Sequence, residues 1–201
     1  MGRRWFAKPN YMGSSPFVHS IKGKDMLSKK TKKRIELLEG VYDVISHKDI
    51  YDTIDYKRKN EESLKQFMYQ PLLQSFKKRM INNGMKEDKA HKLAEQSLTW
   101  EANKKTTLHN MTLFATQHRP DMEVKMDGIN IAIEVKKGKC GVDLRQGIGQ
   151  CIVYSTAYDF VILLFVDISD NKKIFNSVTS QKEVDVIKGL WKNYNTMFGI
   201  I

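Results

Sequence analysis

The segment from Arg119 to Lys136, RPDMEVKMDGINIAIEVK, constrains what this chain can fold into more than any other stretch. Asp127-Gly128 lies between two runs of alternating apolar residues. A two-residue hairpin turn needs positive φ at both central positions, which Asp and Gly tolerate. The turn therefore predicts a β-hairpin with Met126 opposite Ile129. Counting outward, Met122, Val124 and Met126 project to one face together with Ile129, Ile131, Ile133 and Val135. Asp121 then falls opposite Glu134 on the less apolar face, and Lys136 follows on that face two residues later. Like charges facing each other across a sheet are destabilising, so a fold that keeps them there calls for a cation. Oxygen donors at this separation suit a hard ion such as Mg²⁺, which keeps several waters and binds through one or two carboxylates. The same residues also fit a half-buried hairpin whose charged face meets solvent, with Lys136 pairing Glu134.

The metal reading implies phosphodiester hydrolysis. A divalent ion polarises a phosphoryl oxygen and lowers the pKa of water, and an adjacent lysine orients that water or stabilises transition-state charge. The overall charge agrees with a polyanionic substrate. The chain has 34 Lys+Arg against 23 Asp+Glu, a formal net charge of +11, and each neutralised phosphate releases a counterion. Residues 1–40 carry +7 of that excess, including Lys29, Lys30, Lys32, Lys33 and Arg34. Such a segment also fits a solvated basic face or an anionic membrane surface; DNA is the partner expected here.

No apolar run approaches the roughly 18–20 residues that span a bilayer, so no membrane segment is expected. Arg3 and Arg4 are followed by no apolar stretch, so no secretory leader is expected either. Cys140 and Cys151 stand apart from any histidine cluster, which argues against zinc and fits a reducing cytoplasm.

Around the hairpin, residues 1–28 contain Pro9, Gly13, Ser14, Ser15 and Pro16 and read as an irregular arm. Ile35, Leu38, Val41 and Val44 predict a helix over about Lys30–Ile45. Asn60 is a good N-cap for a second helix, with Glu61 and Glu62 in its first turn. Leu64, Phe67, Met68, Leu72 and Phe76 form its stripe, Pro71 is expected to kink it, and Asn82-Asn83-Gly84 ends it. A third helix is expected from Glu87 to about Lys104, with Ala90, Leu93, Ala94 and Leu98 inward. After a loop at Lys137–Gly141, Val142 to about Tyr158 reads as a helix. Gln146, Gln150 and Tyr154 share one of its faces; Leu144, Ile148, Cys151, Ile152 and Ser155 share the opposing one. Phe160–Val166 predicts a strand buried on both faces, and Gln181–Tyr194 a closing helix. Trp5, Trp100 and Trp191 are expected in the core or a lid rather than as base-stacking platforms.

Pro120-Asp121, twelve intervening residues and Glu134-Val135-Lys136 resemble the signature of the PD-(D/E)xK, restriction-endonuclease-like nuclease superfamily. Gln150 and Tyr154 resemble the Q-x-x-x-Y element of RecB-type nucleases and of type I restriction nuclease domains. The segment from Glu61 to Pro71-Leu72-Leu73 is similar to the opening helix of the latter. The resemblance covers about residues 60–168. It implies an α/β fold: a restriction-endonuclease-like core with a central mixed sheet of four to five strands flanked by helices. It puts the nuclease domain at 60–201 and says little about residues 1–59, which read from their own composition and spacing as a basic N-terminal extension, arm plus helix. It also implies a DNA endonuclease in which Asp121, Glu134, the Val135 carbonyl and Glu61 hold Mg²⁺, with Mn²⁺ able to substitute. Glu101 is the rival to Glu61. Lys136 would assist the water or transition state, and Gln150 and Tyr154 would position the site. Cutting both strands of a duplex favours a homodimer. The competing reading is a nucleic-acid-binding module that keeps the fold without cutting.

Overall fold

A computed structural model describes residues 29–47, 50–51, 55–101, 108–178 and 180–201; the arm expected at 1–28 and Trp5 lie outside them. The hairpin is its centre. Asp127 has φ 56° and Gly128 φ 73°, the pair of left-handed conformations that joins two strands without splaying them. Strands β4 (Met122–Met126) and β5 (Ile129–Gly138) pair antiparallel, with Met126 opposite Ile129 and Met122 opposite Ile133. That is the predicted register, and it carries Asp121 to Glu134.

The hairpin is built into a mixed five-stranded sheet of order β1-β4-β5-β6-β7. Strand β1 (Leu98–Trp100) pairs antiparallel with β4, while β6 (Phe160–Asp167) and β7 (Thr196–Ile200) extend the other side in parallel. A separate two-stranded hairpin joins β2 (Met111–Leu113) to β3 (Thr116–His118). Helices cover both faces. On one, α1 (Lys29–Ile45) and α2 (Glu61–Asn82) bury Leu38, Leu64, Met68 and Leu72 against Val124, Ile131, Ile133 and Ile162. On the other, α4 (Gly141–Tyr154) and α6 (Gln181–Tyr194) pack Cys151, Tyr154 and Ile187 against Ala132, Leu163 and Phe198. Every residue of β6 is buried, as a central parallel strand requires. The helices α3 (Glu87–Ser97) and α5 (Lys173–Ser177) complete the described elements. Among the described residues no helix is long and apolar enough to cross a membrane.

Several local expectations change in the structure. The third helix stops at Ser97, and Leu98–Trp100 is a strand. The open edge of β4 offers Leu98-Thr99-Trp100 a ladder of hydrogen bonds, and β-branched and aromatic residues fit a pleated edge better than another helical turn. Strand β5 runs on to Gly138 instead of giving way to a loop after Lys136, because its parallel pairing with β6 continues to Gly138 opposite Asp167. A Cβ at Gly138 would lie 2.4 Å from the Asp143 Cβ, so only glycine lets the next helix begin there. Helix α2 continues past Pro71 to Asn82; Pro71 stands on the exposed side, where water can satisfy the carbonyl its missing N–H releases. Strand β7, directly after the predicted closing helix, was not foreseen.

Helix α1 belongs to the same core as the rest. Its Tyr42 lies against Gly199 of β7, where an added Cβ would come within 2.1 Å of the hydroxyl and 2.8 Å of the ring. Gly199→Ala is therefore expected to destabilise the fold by about 1–3 kcal/mol. A lowered urea midpoint with an unchanged slope would show it; an unchanged midpoint would mean that Tyr42 moves aside freely.

Candidate active site at the open end of the hairpin

Asp121 enters the site because β4 begins one residue later and Pro120 stiffens the approach. One of its oxygens, Oδ2, accepts the Val135 N–H at 2.8 Å. In an antiparallel ladder the N–H and C=O of one residue point to the same side. The Val135 carbonyl therefore faces the Asp121 side too. Glu134, opposite Asp121, is only 4 % exposed. Lys136 follows on the same face. Its Cβ lies 3.5 Å from where a side chain on Gly147 would begin, so the glycine lets α4 approach closely over the lysine.

Burial raises Glu134 most, and the neighbouring Asp121 carboxylate adds to it, so its pKa is pushed up to about 8. Lys136 works in the opposite direction, Glu61 raises it further, and the neighbouring Tyr154 hydroxyl lowers it somewhat. Asp121 is also raised by burial, but the Lys65 ammonium and the Val135 N–H oppose the shift. The two carboxylates therefore share a site in which both cannot ionise cheaply without a compensating cation.

Helix α2 brings the first-turn carboxylate and an unforeseen lysine. Glu61 Oε1 accepts the Lys137 N–H at 2.9 Å and lies 3.9 Å from Lys136 Nζ, so the helix-borne carboxylate does reach this end of the sheet. Lys65, one turn on, is 5 % exposed. Its ammonium lies 3.0 Å from Asp121 Oδ1, 3.0 Å from Glu62 and 3.4 Å from Glu101. Burial alone would lower its pKa, yet Asp121 and Glu62 more than reverse this and hold it above the usual lysine value. A signal for it was present: Lys65 shares the helix face of Leu64, Met68 and Leu72, where a lysine has no reason to be unless it is paired.

Glu101, the rival carboxylate, sits not on a helix but in the turn after β1. It pairs with Arg119 as well as with Lys65. Among the described residues no three His, Cys, Asp or Glu side chains converge as a metal-ligand group. Asp121 and Glu134 are opposed, the Val135 carbonyl faces the same side, and Glu61 is held on the β5 backbone. That is two carboxylates and a carbonyl, a donor set that fits an ion retaining much of its water.

Helix α4 presents a different face from the one expected. Gly147, Cys151 and Tyr154 turn inward, while Gln146 is exposed and Gln150 half-buried. The reason is steric: Gly147 is where the helix comes closest to β5 and β6, so the residues one and two turns on follow it inward. Tyr154, 1 % exposed, donates to the Arg119 carbonyl at 2.7 Å and lies beside Glu134. Burial, then Glu134 and Asp121, raise its hydroxyl pKa, so it stays a neutral donor. Gln150 contacts that hydroxyl, and its own carbonyl oxygen is buried without a partner. The pair braces the approach to Asp121 from inside. Glu123, two residues beyond Asp121 on the same face, is a further buried carboxylate, 1 % exposed and 3.0 Å from Lys125.

The trio Asp121, Glu134 and Lys65 makes a stability prediction. A carboxyl group whose folded pKa is raised binds more protons in the native than in the unfolded state between its two pKa values. The native state therefore loses stability as pH climbs from about 4.5 to about 8. Glu134→Gln should raise the melting temperature of the metal-free protein at pH 8 and gain much less at pH 5. Lys65→Met should do the reverse at pH 8, costing on the order of 3 kcal/mol because it strands Asp121. Thermal melts of both variants at the two pH values check the signs. In comparisons with protein-family models, curated proteins and solved structures, no match to this chain was found.

Proposed function

We propose that this chain is a metal-dependent DNA endonuclease with a PD-(D/E)xK active site on a restriction-endonuclease-like core. The observation that carries the reading is the facing of Asp121 and Glu134 across the end of one hairpin, with Glu134 pushed up to about 8. A sheet does not keep two buried, mutually repelling carboxylates for stability, so their arrangement is explained by a cation that belongs between them. The order of elements around them supports it: hairpin, helix α4, then buried strand β6, the order the resemblance implies. The +11 charge supports a polyanionic substrate.

In this reading Asp121, Glu134 and the Val135 carbonyl hold Mg²⁺ or Mn²⁺. Glu61 faces the same end through Lys136 and the Lys137 N–H. A divalent ion bound there supplies Lewis acidity toward a phosphoryl oxygen and toward water. Lys136 provides an ammonium beside the carboxylates that orients the attacking water and stabilises negative charge on the phosphoryl group. Glu61, 3.9 Å from that ammonium, steers it. The Lys65 ammonium and the Val135 N–H each take one Asp121 oxygen, which fixes the carboxylate plane and leaves a lone pair on both oxygens. Tyr154 and Gln150 act indirectly, by pinning the residue before Pro120.

The second reading, a binding module that does not cut, has one observation in its favour. Lys65 already neutralises Asp121 without a metal, so the fold could keep both carboxylates for structure. Cleavage decides between the two. Supercoiled plasmid, single-stranded and branched DNA should be cut with Mg²⁺ or Mn²⁺ and not with EDTA. Glu134→Ala and Lys136→Ala should each lose about 10²–10³-fold in rate or more. A wild-type protein that binds DNA and never cuts it with either metal would establish the binding module.

Proton linkage offers an independent check. Metal binding needs Glu134 ionised, so below about pH 8 a proton must leave first. Mn²⁺ affinity should rise with pH, by at most about tenfold per unit, and level off above pH 8. Glu134→Gln should abolish that slope. Titration calorimetry in buffers of different ionisation enthalpy would count the released proton; release of none would count against Glu134 as a ligand.

A further inference from the structure

The β2–β3 hairpin leaves the fold beside the carboxylates and buries little of itself. Leu113 pairs with Thr116, so the turn is Phe114-Ala115. Phe114 has φ 51° and Ala115 φ 59°, the same doubly left-handed turn that β4–β5 builds from Asp127-Gly128. One chain thus solves one backbone problem twice, once with residues suited to it and once with a phenylalanine and an alanine, whose Cβ atoms penalise that conformation. The ring offsets nothing by packing, since Phe114 is 92 % exposed and Leu113 beside it 39 %. An aromatic residue held in a strained turn and left in solvent is a candidate for contact with something outside the fold.

The base of the hairpin is fixed in place. Met111 packs on the core beneath α4. The Arg119 carbonyl accepts from Tyr154 at 2.7 Å, and the Arg119 side chain pairs with Glu101. Asp121 lies six positions after Ala115, so the tip stands within about 20 Å of that carboxylate. Thr112, Thr116 and Gln117 around the ring are exposed and polar. The apolar area is one ring and part of a leucine, far below the ~800 Å² per partner of a standard protein interface. Residues 108–120 contain no Asp or Glu. A lone exposed aromatic ring among polar residues, on a chain of formal net charge +11, fits a nucleobase on a phosphate backbone.

We propose that Phe114 stacks on an unpaired nucleobase, making DNA with a single-stranded or branched segment next to the cleavage point the preferred substrate. Bases inside an intact duplex are already stacked on one another and leave the ring nothing to cover. The proposal rests on the nuclease reading for the position of the cut, but not for the stacking itself.

The test measures binding in EDTA of a blunt duplex and a duplex with an unpaired flap, the flap carrying 2-aminopurine, to wild type, Phe114→Ala and Phe114→Trp. Wild type is expected to bind the flap more tightly than the duplex and to change the 2-aminopurine fluorescence. Phe114→Ala should lose about 10- to 100-fold on the flap and the fluorescence change, with duplex binding and melting temperature unmoved. Phe114→Trp should keep both. Equal flap affinity and fluorescence in wild type and Phe114→Ala overturns the proposal. So does a Phe114→Ala variant that loses binding to anionic vesicles but not to DNA. A wild type that shows the fluorescence change yet cuts nothing with Mg²⁺ or Mn²⁺ overturns the nuclease reading alone and supports the stacking.

Discussion

Two positive φ angles, at Asp127 and Gly128, decide where the rest of the structure goes. A slip of one residue in this turn would exchange the faces of β4 and β5. It would send Val124, Ile131 and Ile133 toward α4, and Glu134 into the apolar layer under α2. The turn therefore selects the register, the register selects the buried face, and the buried face selects which helix covers which side. Parallel addition of β6 and β7 then follows, because α4 and α6 each return the chain to the end at which the preceding strand began.

The second organising force is the charge at the other end of the same hairpin. Asp121 and Glu134 are held together by backbone geometry in spite of their repulsion. The protein compensates one of them with Lys65 and a backbone N–H, and leaves the other to protonation. The charged side chains accordingly gather in two groups, one around Lys65 and one at Lys136. Lys65 satisfies Glu62, Glu101 and Asp121, Lys136 faces Glu61, and Arg119 closes on Glu101. Each pair draws one more element to the site: α2, the turn after β1, and the strand that leads into β4.

Much of this was legible in the residues because it rests on local chemistry. The Asp-Gly turn, the alternation on either side, the Asn60 cap and the seven apolar residues from Phe160 need no distant partner to be recognised. What was not legible depends on partners. Leu98–Trp100 becomes a strand only because β4 has a free edge, and Thr196–Ile200 only because β6 does. The inward face of α4 is chosen by Gly147, whose importance is invisible until β5 and β6 lie beneath it. Lys65 was readable in principle, as a charge on an apolar stripe, but the carboxylates that make it tolerable come from Asp121 and Glu101, far along the chain. Phe114-Ala115 could not be read as a turn at all, since neither residue favours one.

The contact between Tyr42 and Gly199 has a consequence for how the molecule is made. Strand β6 carries eight buried residues, and one of its edges stays bare until β7 has been synthesised. Helix α1, translated long before, cannot seat Tyr42 until that same strand arrives. On the ribosome, then, the most apolar strand of the protein waits half-covered while its neighbour is still in the exit tunnel. An open edge of that kind invites pairing with other chains.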